Sequence, residues 1–451
     1  MTPHTNDPAA YTNVPLRLGP IWLMPGITQR NALAYFLAAF FTIGTLAFVS
    51  NMQPYLLTEN LGIPADERGR ATSLLAVPYE ITFLIMIGPL GALADRIGRR
   101  PIFVSGFLLV AIALTSFPLV RELWQLALLR AFYGIGAACI TSMMATVLAD
   151  YPQERSRGLM LAGSGVCNGL GAVMMVLLLS QMPRLLETRG FDALTSGRLT
   201  YWLAAALAVV VAVVLARNLK PGKPGKPQAR EPLSRLLGRG VGEARRNPRI
   251  AVACLEAFIA RGDLVVVATF LSLWAQKSGL GAGLSLQEAA KVAGQLVATV
   301  SLAQLLFSPV WGYILDRTDR MTAVSMAMAF AGTAYILVGL SPDPLALMFL
   351  PLAILLGMSE AAAILSGAAV IGQEAREDIR GSVLGLFNFC GSVGTLVIAV
   401  ISGIVFDALF PGAPFVLVGT VNLCICGAAI YVRLRTGYRA PDSRAEPAAG
   451  H

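Results

Sequence analysis

Twelve separate stretches of this chain are apolar over the length a helix needs to cross a bilayer, and this repetition limits the fold more than any other feature. They centre near Phe41, Phe83, Leu109, Ile135, Leu170, Ala208, Val265, Leu302, Ala331, Leu355, Val393 and Asn422. Backbone surrounded by lipid must satisfy its own hydrogen bonds, which leaves only helices and closed barrels. These runs are about 20 residues or longer and lack the period-two alternation of barrel strands, so the fold class is all-α: a polytopic membrane protein. Only 14% of the residues are charged, against about 25% in soluble domains. Lipid is therefore the main solvent.

The net charge of +9 does not point to nucleic acid, because the basic residues sit in short clusters between apolar runs. An even number of spans puts both termini on one side, and the loops on that side carry most of the Lys and Arg, which predicts cytoplasmic termini in a plasma (bacterial inner) membrane. The first thirty residues have no short apolar segment ending in a small-residue cleavage site, so the first span is expected to be retained. Cys139, Cys167, Cys254, Cys390, Cys424 and Cys426 all fall inside apolar runs. That pattern gives neither a disulfide framework nor a zinc spacing, and cysteine chemistry is expected to be silent. No metal, cofactor or nucleic acid is expected, and a monomer is.

The longest loop begins with KPGKPGKP after Asn218 and reads as a mobile cytoplasmic linker over 218–249. It separates a first bundle of six helices (1–217) from a second (250–435), and 436–451 reads as a disordered tail. A repeat supports this division. GALADRIGRR (Gly91 to Arg100) and GYILDRTDR (Gly312 to Arg320) share Gly-x-x-x-Asp-Arg-x-x-Arg at an offset of 221 residues. Glu154, Arg157, Gly158 and Glu377, Arg380, Gly381 share Glu-x-x-Arg-Gly at an offset of 223. Two matches at nearly one offset, each in the same loop of its half, define parallel six-helix repeats.

GALADRIGRR is similar to the loop signature of the major facilitator superfamily, and GYILDRTDR to its weaker second copy. The likeness covers nearly the whole chain. LALLRAFYGIGAA (Leu126 to Ala138) also resembles the superfamily's fourth-helix pattern, with Tyr133 where many relatives have Gln. GSGVCNGLGA (Gly163 to Ala172) resembles the antiporter signature, but has Leu170 in place of Pro and lacks the closing glycine pair, which weakens an antiport reading. Close packing through small residues accounts for these glycines equally. The resemblance implies two pseudo-symmetric bundles working by alternating access.

The loop motif suggests a conformational latch of Gly91, Asp95, Arg96, Gly98, Arg99 and Asp150, with Gly312, Asp316 and Arg317 as its second copy. Asp95 is placed to accept hydrogen bonds at the amino end of the eleventh span, whose dipole favours an anion, and Arg99 to pair with Asp150. Asp319, at the place of Gly98, suggests a looser second copy. A plain topology signal explains the arginines but not Asp95 or the glycines.

Ionisable residues inside spans cost about 2.5–3.5 kcal/mol each, so they are expected to face one another or a polar crevice. They are Glu80, Arg130, Glu256, Arg261, Asp263 and Glu360. Glu256 and Asp263, seven residues apart, share one helix face, and Arg261 points elsewhere. Counting depth along the helices predicts an Arg261 to Glu360 pair. The resemblance implies that the first, fourth, seventh and tenth spans line the crevice, which adds Asn51 and Gln53. Tyr55, Tyr133 and Trp274 are either crevice walls or core packing.

A proton carrier must be a carboxylate, since His4 and His451 lie at the ends of the chain. Asp263 and Glu360 lead, ahead of Glu256. Permanent ion pairing with Arg261 is the competing reading, and Glu80 is assigned either to the crevice or to the boundary between halves. The chain is thus read as a secondary transporter of a small organic solute, coupled to a proton or another ion. Efflux of hydrophobic or multidrug-type compounds is the alternative, and a non-transporting sensor or scaffold is the rival of another class. Nothing in the sequence supplies the nucleophile, metal cluster or cofactor loop of an enzyme.

Overall fold

A computed structural model describes residues 17–153, 156–222, 233–375 and 379–439. Eleven helices are long and apolar enough to span a bilayer. The first half holds α1 (Gln29–Glu59), α2 (Arg68–Ile97), α3 (Arg99–Ser116), α4 (Leu123–Asp150), α5 (Arg157–Glu187) and α6 (Ala193–Asn218). The second begins with a helix in the linker, α7 (Leu233–Arg246). Its seventh span is α8 (Pro248–Val265), a π-helical segment (Val266–Leu271) and α9 (Ser272–Gly281) in direct succession. Then follow α10 (Leu286–Arg317), α11 (Arg320–Gly339), α12 (Phe349–Glu374), α13 (Arg380–Ala408) and α14 (Ala413–Thr436). The twelfth apolar run of the sequence is this interrupted seventh span, so the all-α reading stands with one break in helical regularity.

Two hydrophobic cores form, one in each half. Across the boundary α2 packs on α13 and α5 on α10. The second glycine of the loop motif shows why glycine is needed there: Gly98 joins α2 to α3 at φ 107°, and a Cβ would lie 2.8 Å from the Gly222 carbonyl oxygen.

Three local features depart from the sequence reading. A two-stranded ribbon, β1 (Arg17–Leu18) and β2 (Ile21–Trp22), precedes α1 and is tied to the loop after α4 by Met24 N–H donating to the Tyr151 carbonyl at 2.8 Å. The linker is not loop throughout. Leu237, Gly240 and Ala244 share one face of α7, and that face packs on α13 with Gly240 against the Ser382 carbonyl. The tail, expected to be disordered from 436, is held as far as Arg439: its N–H donates to Asp319 at 3.1 Å and its guanidinium to Glu374 at 2.6 Å.

Candidate functional site

With an even number of spans, both termini and the linker share one end of the bundle, called here the terminal end; the opposite end is the far end. The polar contacts between the halves named for the described residues gather toward the far end. Asp407, in the last turn of α13, accepts from the backbone N–H groups of Gly69 at 3.0 Å and Arg70 at 2.7 Å. A carboxylate thus caps the first turn of α2, where the helix dipole favours a negative charge. Ser73 Oγ donates to the Ala399 carbonyl, and Arg184 pairs with Glu288. Asn51, fully buried on α1, accepts through its carbonyl from Ser272 Oγ at 2.8 Å, with Gln276 also within reach. Asn51 therefore belongs to the seal between α1 and α9, and Gln53 is buried beside it.

The charged centre lies below this seal. Arg130 of α4 is 8% exposed, and its guanidinium carbon stands 5.5 Å from the centroid of the Tyr79 ring on α2. Tyr133 stacks obliquely on Tyr79 at 5.8 Å and on Phe117 at 5.9 Å, so it forms the aromatic floor beneath the arginine. Gly134 permits this approach, because a Cβ there would lie 2.9 Å from the Tyr79 carbonyl. Gly136 serves α3 in the same way, against Gly106. Next to Tyr79 is Glu80, and the charges of both Arg130 and Arg261 act on it. One arginine comes from each half. Among the described residues Arg130 has no hydrogen-bond or ion-pair partner named, and its Nε is buried without one.

The predicted Arg261 to Glu360 pair is not formed. Arg261 donates to Asn388 Oδ1 on α13 at 2.6 Å, and its stem lies over Gly391. Glu360 turns the other way, into the second core, where Tyr335 OH of α11 donates to it at 3.1 Å. Depth along two helices carried no information about the direction each side chain takes.

The remaining acids are also buried in the second half. Asp263 accepts from Asn422 Nδ2 at 3.3 Å, and its Oδ1 has no partner. Glu360 and Asp263 lie close enough for their charges to interact, with Tyr335 beside both. Glu256 is 1% exposed, neither oxygen has a hydrogen-bond partner, and its carboxyl occupies the space a side chain on Gly367 would need. Tyr55 and Trp274 are core residues: Tyr55 OH donates to the Ala193 carbonyl at 2.6 Å, and Trp274 packs on Phe349 and Phe415.

At the terminal end Arg99 Nε lies 2.6 Å from Asp150 Oδ2, within the first half. Asp95, Arg96 and Gly91 lie on α2, with Arg96 exposed; the side chain of Asp95 falls outside the described residues, as do Glu154 and Glu377. In the second copy Asp316 is 81% exposed and 3.7 Å from Arg320, Arg317 covers the Tyr313 ring at 4.1 Å, and nothing crowds Gly312. Asp319 is the unexpected residue. It caps α11 through Thr322 N–H at 3.0 Å and joins Arg249 at 3.4 Å and Arg433 at 2.9 Å, while Arg249 also reaches Glu374 at 3.4 Å. The second copy, expected to be the looser, holds Asp319 in a buried network of three arginines and Glu374. Burial pushes the Asp319 carboxyl up, but the N–H groups of Arg439 and Thr322 and the guanidiniums of Arg249 and Arg433 outweigh it and hold it below the usual carboxylate range.

Asp407, Asn388, Tyr335, Asn422, Arg249 and Glu374 were not singled out from sequence. The only advance signals were a polar Asn422 at the centre of the last span and acids in the closing turns of two others.

Residues 34–295 and again 282–450 match the family described as Major Facilitator Superfamily. "Magnetosome protein MamH" of Paramagnetospirillum magneticum (strain ATCC 700264 / AMB-1) is 26% identical over 90% of this chain and 92% of its own length. "Multidrug resistance protein MdtG" of Escherichia coli O1:K1 / APEC is 24% identical over 83% and 88%. Among solved structures, that of the nucleoside transporter NupG (D323A mutant) aligns with a TM-score of 0.69 at 14% identity, over 89% of this chain and 99% of that one.

Proposed function

Since this chain belongs to the Major Facilitator Superfamily, we propose that it is a proton-coupled carrier of a small organic anion or zwitterion, working by alternating access. The observation that carries the reading is Arg130 of the first half, buried over the Tyr79 ring with no ion-pair partner among the described residues, beside Glu80, on which the charges of both Arg130 and Arg261 of the second half act. A solute carboxylate arriving between the halves would compete with Glu80 for both guanidiniums, and neither arginine can give up its charge. The aromatic floor of Tyr79 and Tyr133 suits the organic part of such a solute.

Proton coupling is placed on Asp263 and Glu360, with Glu256 as the next carrier. Their named partners are the neutral side chains of Asn422 and Tyr335. A buried carboxylate without a cation is costly, so these groups hold protons while the far end is sealed and release them when the crevice wets. The terminal end is taken as cytoplasmic, which makes this the state closed to the outside.

Efflux of hydrophobic compounds is the second reading, supported by the likeness to MdtG and by the same aromatic floor. In proteoliposomes under a pH gradient, a panel of carboxylated and of hydrophobic cationic solutes separates the two. The proposal expects driven movement of a carboxylated solute, lost in Arg130→Ala. Asp263→Asn and Glu360→Gln should abolish driven transport while sparing exchange. Driven transport of cations only, or unchanged driven transport in both amide variants, would overturn it.

A further inference from the structure

The six cysteines looked chemically silent in the sequence, but two of them are in contact. Cys254 on α8 and Cys390 on α13 face each other closely enough for their thiols to act on one another. The surrounding register fixes that contact independently. Both helices start at the terminal end and run parallel, and their contacts recur every four residues at one offset of 136. The Phe258 carbonyl meets Gly394, and Gly262 meets Ile398 so closely that a Cβ on 262 would lie 2.7 Å from Cγ1 of Ile398; the same offset, one turn earlier, pairs Cys254 with Cys390. Gly394 lets the two backbones approach closely, which brings positions 254 and 390 opposite one another one turn earlier. Cys254 is 7% exposed and Cys390 half-buried.

The first half has the same contact without the thiol pair. Between α1 and α5, Gly171 presses on the Phe40 carbonyl as Gly394 presses on that of Phe258. Cys167 precedes Cys390 by 223 residues, close to the repeat offset. One turn before Phe40, however, stands Phe36, where α8 has Cys254. The paired thiols are therefore an addition to the second repeat and not a requirement of the shared helix packing.

We propose that Cys254 and Cys390 form a two-sulfur site for one soft monovalent cation of the copper(I) and silver(I) class. The cation binds both sulfurs as a linear bis-thiolate. Two metal–sulfur bonds form, both S–H protons pass to water, and nothing is oxidised or reduced. Soft d10 ions accept two thiolates as a complete set. Among the described residues no group of three or more His, Cys, Asp or Glu is placed to hold an ion, so cations that need a fuller shell find none here. The bis-thiolate carries one negative charge. Arg261, seven residues after Cys254 on the same face of α8, lays its stem over Gly391, next to Cys390, and supplies the counter-charge.

Purified full-length protein is titrated with silver(I) in the presence of glutathione, which strips silver from single thiols, and bound silver per chain is counted after desalting. Thiolate-to-metal absorption in the ultraviolet follows the same titration. One silver per chain should withstand glutathione, and Cys254→Ala or Cys390→Ala should each weaken it by roughly 100-fold or more, as expected when the second ligand of a bidentate site is lost. Cys424→Ala should leave it unchanged. Gel filtration identifies any variant that has not folded, and Cys254→Ser or Cys390→Ser then replaces it. Retention of the resistant silver in both single variants, or none retained by the parent, overturns the proposal. Neither result depends on what the protein transports.

Discussion

At position 98 the first half has glycine, and at the same place in the second repeat, position 319, there is aspartate. Gly98 lets the chain reverse between two helices at a backbone angle other residues avoid, and nearby Arg99 pairs with Asp150, at 19% and 41% exposure. Asp319 is 1% exposed, makes its turn with ordinary φ, caps α11 and anchors Arg249, Arg433 and the tail. The two matching turns are held by backbone freedom in one half and by a buried ionic clamp in the other. The difference shows that a repeated motif conserves the position of a loop while the means of holding it can change from dihedral freedom to charge.

The largest test of this contrast is Arg249→Ala. It leaves Asp319 and Glu374 buried with a cation fewer, and the second half should lose about 3–5 kcal/mol. Thermal melting, with limited proteolysis to locate the loosened half, measures it. The same clamp has a pH signature. A carboxyl held below its ordinary value contributes stability that is fully present above the unfolded value, about 3.9, and is lost as pH falls through the lower folded value. Wild-type protein should therefore lose melting temperature below about pH 4, and Asp319→Asn should start lower and show a flatter acid limb. Gly98→Ala comes next, at about 1–2 kcal/mol, since a Cβ is unfavourable at that φ whatever the surroundings. Arg99→Ala is the smallest, about 0–1 kcal/mol, as for other partly exposed pairs. If Arg99→Ala destabilised as much as Arg249→Ala, the two halves would not differ in kind.

Much of this architecture was readable in advance because it follows from simple periodicities. Span length and hydropathy led to the all-α membrane fold, the repeat offset to its division into halves, and the cost of buried charge to the candidate ionisable residues. What could not be read was direction. Arg261 and Glu360 lie at suitable heights, yet one side chain points to α13 and the other to α11. Only the packing of neighbouring helices decides such angles. Partners such as Asn388, Tyr335 and Asn422 are ordinary residues until a charged group is set against them, and Cys254 is unremarkable until α8 and α13 are in register.

The π-helical segment at Val266–Leu271 has a consequence for anyone numbering positions along the seventh span. Its hydrogen bonds reach one residue further than those of an α-helix, so the stripe of side chains is displaced as it passes through. Glu256, Arg261 and Asp263 precede the break, while Ser272 and Gln276, which seal α1, follow it. A helical wheel drawn across the whole span would assign the sealing residues to the wrong sector. Deleting one residue from the segment would rotate the seal away from Asn51 while leaving the charged positions below it in place.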